Sequence, residues 1–91
     1  MMWQAEVRVM LKPSVNDPQG LSIRGALRTL GFAHVEEVRA GKVIHIKLRA
    51  DERNAAEAHV ERMCQQLLAN PVIETYSFEL VPAVDPALLQ E

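Results

Sequence analysis

The chain has 91 residues, with 10 Lys and Arg against 12 Asp and Glu, giving a formal net charge of −2. A chain of this size buries roughly 60–65% of its unfolded surface, enough for one two-layer core but not for two domains or a large enclosed active site. Balanced charge leaves no long-range field for a polyanion or an anionic membrane, and the single cysteine, Cys64, excludes an internal disulfide or a multi-cysteine zinc or redox motif. No apolar run approaches the ~20 residues of a bilayer span and the first residues lack a signal-peptide pattern, so a cytoplasmic location is expected.

Trp3 to Leu11 alternates apolar odd with mostly polar even positions, the period of a strand with one buried face. Asp17-Pro18 then reads as a helix N-cap followed by proline at the first helical position. The helix carries Ile23, Ala26, Leu27 and Leu30 on one stripe and ends at Gly31, a residue suited to a left-handed cap. Gly25 inside it marks either close backbone packing or simple tolerance. Val35 to Leu48 predicts a hairpin turning at Ala40-Gly41-Lys42, with strict alternation restored at Ile44, Ile46 and Leu48. A second helix follows, capped by Asp51 or by Asn54 with Glu57 completing a capping box. Its stripe is Ala56, Val60, Met63, Cys64, Leu67 and Leu68, and Asn70-Pro71 stops it. The last strand is expected over 72–81, with Tyr76, Phe78 and Leu80 on one face, ended by Pro82.

The order β-α-β-β-α-β folds most economically as an α+β ferredoxin-like two-layer sandwich, a four-stranded antiparallel sheet with both helices on one face. Residues 1–82 would form the single domain and 83–91 a mobile tail. The open sheet face would carry Met2, Gln4, Glu6, Arg8 and Met10 beside Val43, His45, Lys47 and Arg49, a mixed surface suited to self-association or docking.

No local chemistry stands out. His34, His45 and His59 fall on a turn, a strand and a helix, and Cys64 belongs to the apolar stripe, without metal-ligand spacing. Glu36 and Glu37, adjacent on a strand, point to opposite faces. Phosphate-loop and dinucleotide fingerprints are missing, and the four aromatics do not form a base-stacking platform. The residues alone therefore point to an interaction or regulatory module with no catalytic, cofactor or metal site.

Three stretches resemble one family. Leu11 to Gly20, LKPSVNDPQG, is similar to the LKPGVLDPQG segment of PurS, the small subunit of phosphoribosylformylglycinamidine (FGAM) synthase. Leu30-Gly31-Phe32 with Val35 to Arg39 and Gly41-Lys42, and Met63-Cys64 through Leu67 to Glu74 and Tyr76, resemble two further PurS segments in the same order. Ser14 stands where the family pattern has glycine, which implies a loop with no positive φ there, and Thr75 where it has an acidic residue.

The resemblance implies a homodimer or homotetramer and a non-catalytic subunit of a glutamine amidotransferase and ligase complex of purine biosynthesis. In it a PurQ-like glutaminase releases ammonia, and a PurL-like synthetase uses ATP and magnesium to activate formylglycinamide ribonucleotide. The small subunit bridges the two, so that ammonia is neither diluted nor protonated in transit. Asp17-Pro18 is explained as a helix start, which leaves Lys12, Asn16 and Gln19 as candidate partner contacts, with Lys42 beside the expected turn. Two other readings remain: an ACT-like domain binding a small ligand, which shares the fold, and a small enzyme using Cys64 or His45.

Overall fold

A computed structural model describes residues 1–84. The element order is β1 (Met2–Leu11), α1 (Pro18–Thr29), β2 (Gly41–Arg49), α2 (Arg53–Met63), a π-helical segment (Cys64–Leu68) and β3 (Glu74–Pro82). The sheet is antiparallel, in the order β2-β1-β3.

The alternation in β1 sets everything around it. Trp3, Ala5, Val7 and Val9 are buried on one face, and the register aligns them with Leu48, Ile46 and Ile44 of β2 and with Leu80, Phe78 and Tyr76 of β3. Ala56 and Val60 of α2, with Cys64 and Ala69, close this core from above. Full burial of Val7, Val9 and Val60 contributes roughly 1.5–3 kcal/mol each. Trp3 is pinned twice: its indole N–H donates to the Ala50 carbonyl at 3.3 Å, and the Arg53 guanidinium lies 5.3 Å from its ring centroid.

Several elements differ from expectation. α2 is preceded by Glu52 at the cap position, with no side-chain cap bond, instead of Asp51 or Asn54. Arg53 fixes this start, since it also donates to the Leu80 carbonyl at 3.0 Å; Glu57 pairs with Arg53 at 3.7 Å and forms no capping box. β3 begins at Glu74 because the Ile73 and Glu74 amides both donate to the Asn70 carbonyl and hold 70–73 in a turn. The strand includes Pro82, and the next residue, Ala83, donates to the Met2 carbonyl. Met2 is buried, so it adds little exposed surface to the open face. Residues 85–91, most of the expected tail, lie outside the described residues.

The largest difference concerns α1 and the expected hairpin. The described residues form three strands, not four, and α1 does not pack on the sheet. Ala40-Gly41-Lys42 is no turn: residues 35–40 run back along α1, without strand pairing, and lead directly into β2. Gly41 is required for a different reason, because a Cβ there would collide with the Met10 sulfur and the Val9 carbonyl. With Met10 opposite Gly41, residues 12–40 become a long arm inserted between two antiparallel strands.

The helix signals within the arm behave as read. Asp17 caps α1 from the Gly20 amide, Pro18 opens it, and Gly31 takes φ 103° at its end. Gly20, Arg24 and Arg28 face the return segment; Arg24 donates to the Glu36 carbonyl at 2.8 Å and Arg28 to the Val35 carbonyl at 2.9 Å. Ser14 sits in a loop without positive φ. Gly25 has open space where a Cβ would lie, so tolerance explains it. Gly25→Ala is expected to stabilise the chain by about 0.5–1 kcal/mol in urea titration, since alanine fits the helix and narrows the unfolded ensemble.

Candidate functional site

The arm joins the sheet at a polar junction. Asp17 is buried, and its two carboxylate oxygens accept from the Gly20 amide at 2.9 Å and from the Ala40 amide at 2.8 Å. The Gly20 bond, then the Ala40 bond, and to a lesser degree the positive charge of Arg39 hold its carboxyl below the usual carboxylate range. Arg39 fans across the entry loop, donating to the carbonyls of Lys12 at 2.8 Å, Val15 at 3.2 Å and Leu11 at 3.3 Å. Asp17 thus ties the two ends of the arm to each other, and Arg39 ties its return to the end of β1. The Asp17 cap is readable from Asp-Pro, but its second bond and the whole role of Arg39 depend on the path of 35–40, which no local pattern specifies.

Two open cavities of about 250 Å³ flank this junction. Gln19 and Lys42 meet in one, beside Asp17, Leu11 and Glu74. Asn16 lines the other, with Arg24, Glu36, Glu37 and Arg39. Lys12 lines neither; its backbone holds the loop in place, with its amide on the Ile73 carbonyl at 2.8 Å and its carbonyl taking the Val15 amide at 2.9 Å. The four candidate contact residues therefore ring one end of the sheet but converge on no single point.

On the open face Glu6, Arg8, His45 and Glu79 form one linked polar row. Glu6 binds both Arg8 and His45, the latter at 3.0 Å, while Arg8 reaches Glu79 at 3.1 Å. The His45 hydrogen bond, then the Arg8 charge, lowers the Glu6 pKa; Arg8 is raised by its bond to Glu79 and the charge of Glu6. These groups are exposed, so their pairing adds little stability. Cys64 lies on the opposite side of the sheet from His45, and burial, followed by the Glu61 charge, raises its thiol pKa, so it remains protonated at neutral pH. Tyr76 donates to Glu61, an interaction that raises the Tyr76 pKa and links β3 to α2. Among the described residues no cluster of three or more His, Cys, Asp or Glu is placed to hold a metal, and no helix is long and apolar enough to cross a membrane.

Exposed apolar side chains include Met10, Val43 and Val81 on the strands and two further groups. Leu21, Ile23, Leu30 and Phe32 lie along the arm, with Leu30 73% exposed; Leu67 and Val72 project beside the Asn70 turn, with Leu67 83% exposed. These features define a small α+β protein whose prominent surfaces are contact surfaces: an uncovered arm, an open sheet face and a loop-rimmed sheet end. The family follows from comparison with known proteins. The family model PurS, described as phosphoribosylformylglycinamidine (FGAM) synthase, matches residues 4–82. The FGAM synthase subunit PurS of Archaeoglobus fulgidus is 47% identical over 73 residues, 80% of this chain and 91% of that protein. The Synechocystis PurS subunit is 42% identical over 78 residues, 86% of this chain and 78% of that protein.

Solved structures agree. Methanocaldococcus jannaschii PurS superposes with a TM-score of 0.80 at 38% identity, covering 90% of this chain and 99% of that one. A chain of the PurLQS structure from Thermotoga maritima superposes with a TM-score of 0.82 at 31% identity, covering 89% and 99%. This chain belongs to the PurS family. It is a subunit of FGAM synthase, the glutamine-dependent ligase complex of purine biosynthesis.

Proposed function

We propose that this chain is the non-catalytic bridge of its complex, holding a PurQ-like glutaminase against a PurL-like synthetase so that ammonia passes between them without entering bulk water. The observation that carries this reading is the superposition on a chain of PurLQS along nearly its whole length. ATP and magnesium belong to the synthetase, where they activate the amide oxygen of formylglycinamide ribonucleotide. This chain's part is to raise the effective concentration of one active site at the other and to exclude water between them. The complex works in the cytoplasm, and the chain enters it as a homodimer or homotetramer. The four-stranded ferredoxin-like sandwich belongs to this assembled state.

Lys12, Asn16, Gln19 and Lys42 make the partner contacts. The supporting feature is their common placement near one sheet end: Lys12 and Asn16 on the loop that Arg39 braces, Gln19 at the start of α1 and Lys42 at the start of β2. Sedimentation of the three-subunit mixture tests this. Lys12→Ala with Gln19→Ala is expected to weaken assembly roughly 10-fold or more, by removal of two polar contacts at about 1 kcal/mol each. Unchanged assembly by the folded double variant would rule out this loop as the contact.

A further inference from the structure

The core face of the sheet ends in charge. Along β2 the helix-side positions run Leu48, Ile46, Ile44 and then Lys42; along β3 they run Leu80, Phe78, Tyr76 and then Glu74. The register pairs Lys42 with Val9 and Glu74 with Leu11, so both side chains stand on the buried side of β1, one on each flank of it. Two strand spacings and two residues separate their Cα atoms by about 12 Å, too far for an ordinary ion pair but close enough for both side chains to reach one small molecule between them. An open cavity of about 250 Å³ occupies that place, with Gln19 and Asp17 completing its wall.

The polar groups around the cavity are unequally committed. Both Asp17 oxygens are taken, by the Gly20 and Ala40 amides. Glu74 gives Oε1 to the Asn70 amide at 2.7 Å, which fixes its carboxylate, and Oε2 has no partner among the described residues. Neither the Lys42 ammonium nor the Gln19 carboxamide has a partner among the described residues. We propose that this cavity binds a free α-amino acid, with its carboxylate on Lys42 and Gln19, its ammonium on the Glu74 Oε2, and its side chain over Leu11. Charge selects the class. Asp17 and Glu74 together repel a simple carboxylate or phosphate, and Lys42 repels a simple amine, whereas a zwitterion meets both signs with charge-assisted hydrogen bonds. Size limits it further, because 250 Å³ falls below the roughly 300–1,000 Å³ of pockets for drug-sized ligands. Lys42 and Gln19 also stand among the partner contacts above; the site goes beyond that reading without resting on it, and its test uses this chain alone.

Titration of the ¹⁵N-labelled full chain with glycine, leucine and glutamine, followed by amide NMR shifts, tests the site. At least one of the three is expected to saturate with a Kd between about 0.1 and 10 mM, moving the Gly41, Lys42 and Glu74 amides while those of Leu48 and Arg49, at the far end of β2, stay in place. Acetate and ethylammonium, each carrying one charge of the zwitterion, are expected to bind at least about 10-fold more weakly. Lys42→Met keeps the aliphatic stem and removes the charge, and Glu74→Gln keeps an acceptor for the Asn70 amide. Each is expected to weaken binding by about 10-fold or more with an unchanged far-UV circular dichroism spectrum. The absence of a saturable shift with all three amino acids at about 50 mM overturns the proposal. A saturable shift that both variants retain places the ligand elsewhere and overturns it as well. Acetate binding as tightly as the amino acid makes the cavity a simple anion site, which also overturns it.

Discussion

Trp3→Ala is expected to be the most damaging single substitution in the core, with a loss of about 3–5 kcal/mol. Trp3 is the largest buried side chain, 5% exposed, on the central strand, and its ring is covered by Arg53 and tied to Ala50. Truncation removes the apolar burial, the cation–π contact and a hydrogen bond at once, and β1, flanked by both other strands, has little room to collapse. Against the roughly 5–15 kcal/mol of an ordinary domain, this is a large part of the total. Urea titration followed by far-UV circular dichroism, at fixed protein concentration because self-association shifts the midpoint, measures it. Trp3→Phe retains most of the ring and is expected to lose much less. Equal midpoints for Trp3→Ala and the native chain would contradict the placement of the core.

The second large effect is expected at Asp17. Asp17→Ala leaves the buried Gly20 amide and the half-buried Ala40 amide without their acceptor, uncapping α1 and loosening the arm, for a fall in Tm of roughly 5–10 °C. Asp17→Asn retains one acceptor and is expected to fall between. The pH dependence has a definite sign. Because folding lowers the Asp17 pKa below its ordinary 3.8, its contribution is fully present above that value and is lost as pH falls through the lower, folded pKa. The stability gap between native chain and Asp17→Asn should therefore hold constant from neutral pH down to about pH 4, then shrink on further acidification. Hydrogen exchange gives a local reading: the Gly20 and Ala40 amides should lose protection first. A variant with native Tm and native protection at both amides would show that the junction does not hold the arm.

Much of this architecture is legible in the residues because its causes are local. Alternation from Trp3 to Leu11 sets a one-faced strand, Asp17-Pro18 starts a helix, and Gly31 ends it by taking positive φ. The apolar run around Cys64 places that thiol in the core, and Tyr76, Phe78 and Leu80 share the buried side of β3. The failures share one cause, tertiary context. Gly41 reads as a turn glycine, whereas the structure needs it for close passage of the backbone beside Met10. Asn54 with Glu57 reads as a capping box, but Trp3 and the Leu80 carbonyl, distant in sequence, draw Arg53 to the helix start. The stripe on α1 predicts a helix packed on its own sheet, but α1 stands away from the sheet and leaves Leu21, Ile23 and Leu30 exposed. The candidate contacts Lys12, Asn16 and Gln19 emerge by elimination of structural roles and Lys42 from its place beside an expected turn, whereas Arg39, which braces the loop of Lys12 and Asn16, is visible only once three carbonyls converge on it.

The most direct test of the bridging role is synthetase turnover with PurL-like and PurQ-like subunits from the same organism, with and without this chain, fed either glutamine or ammonium chloride. Glutamine-dependent turnover should appear only when this chain is added, while turnover on ammonium chloride should depend on it far less. Full glutamine-dependent turnover in its absence would contradict the account.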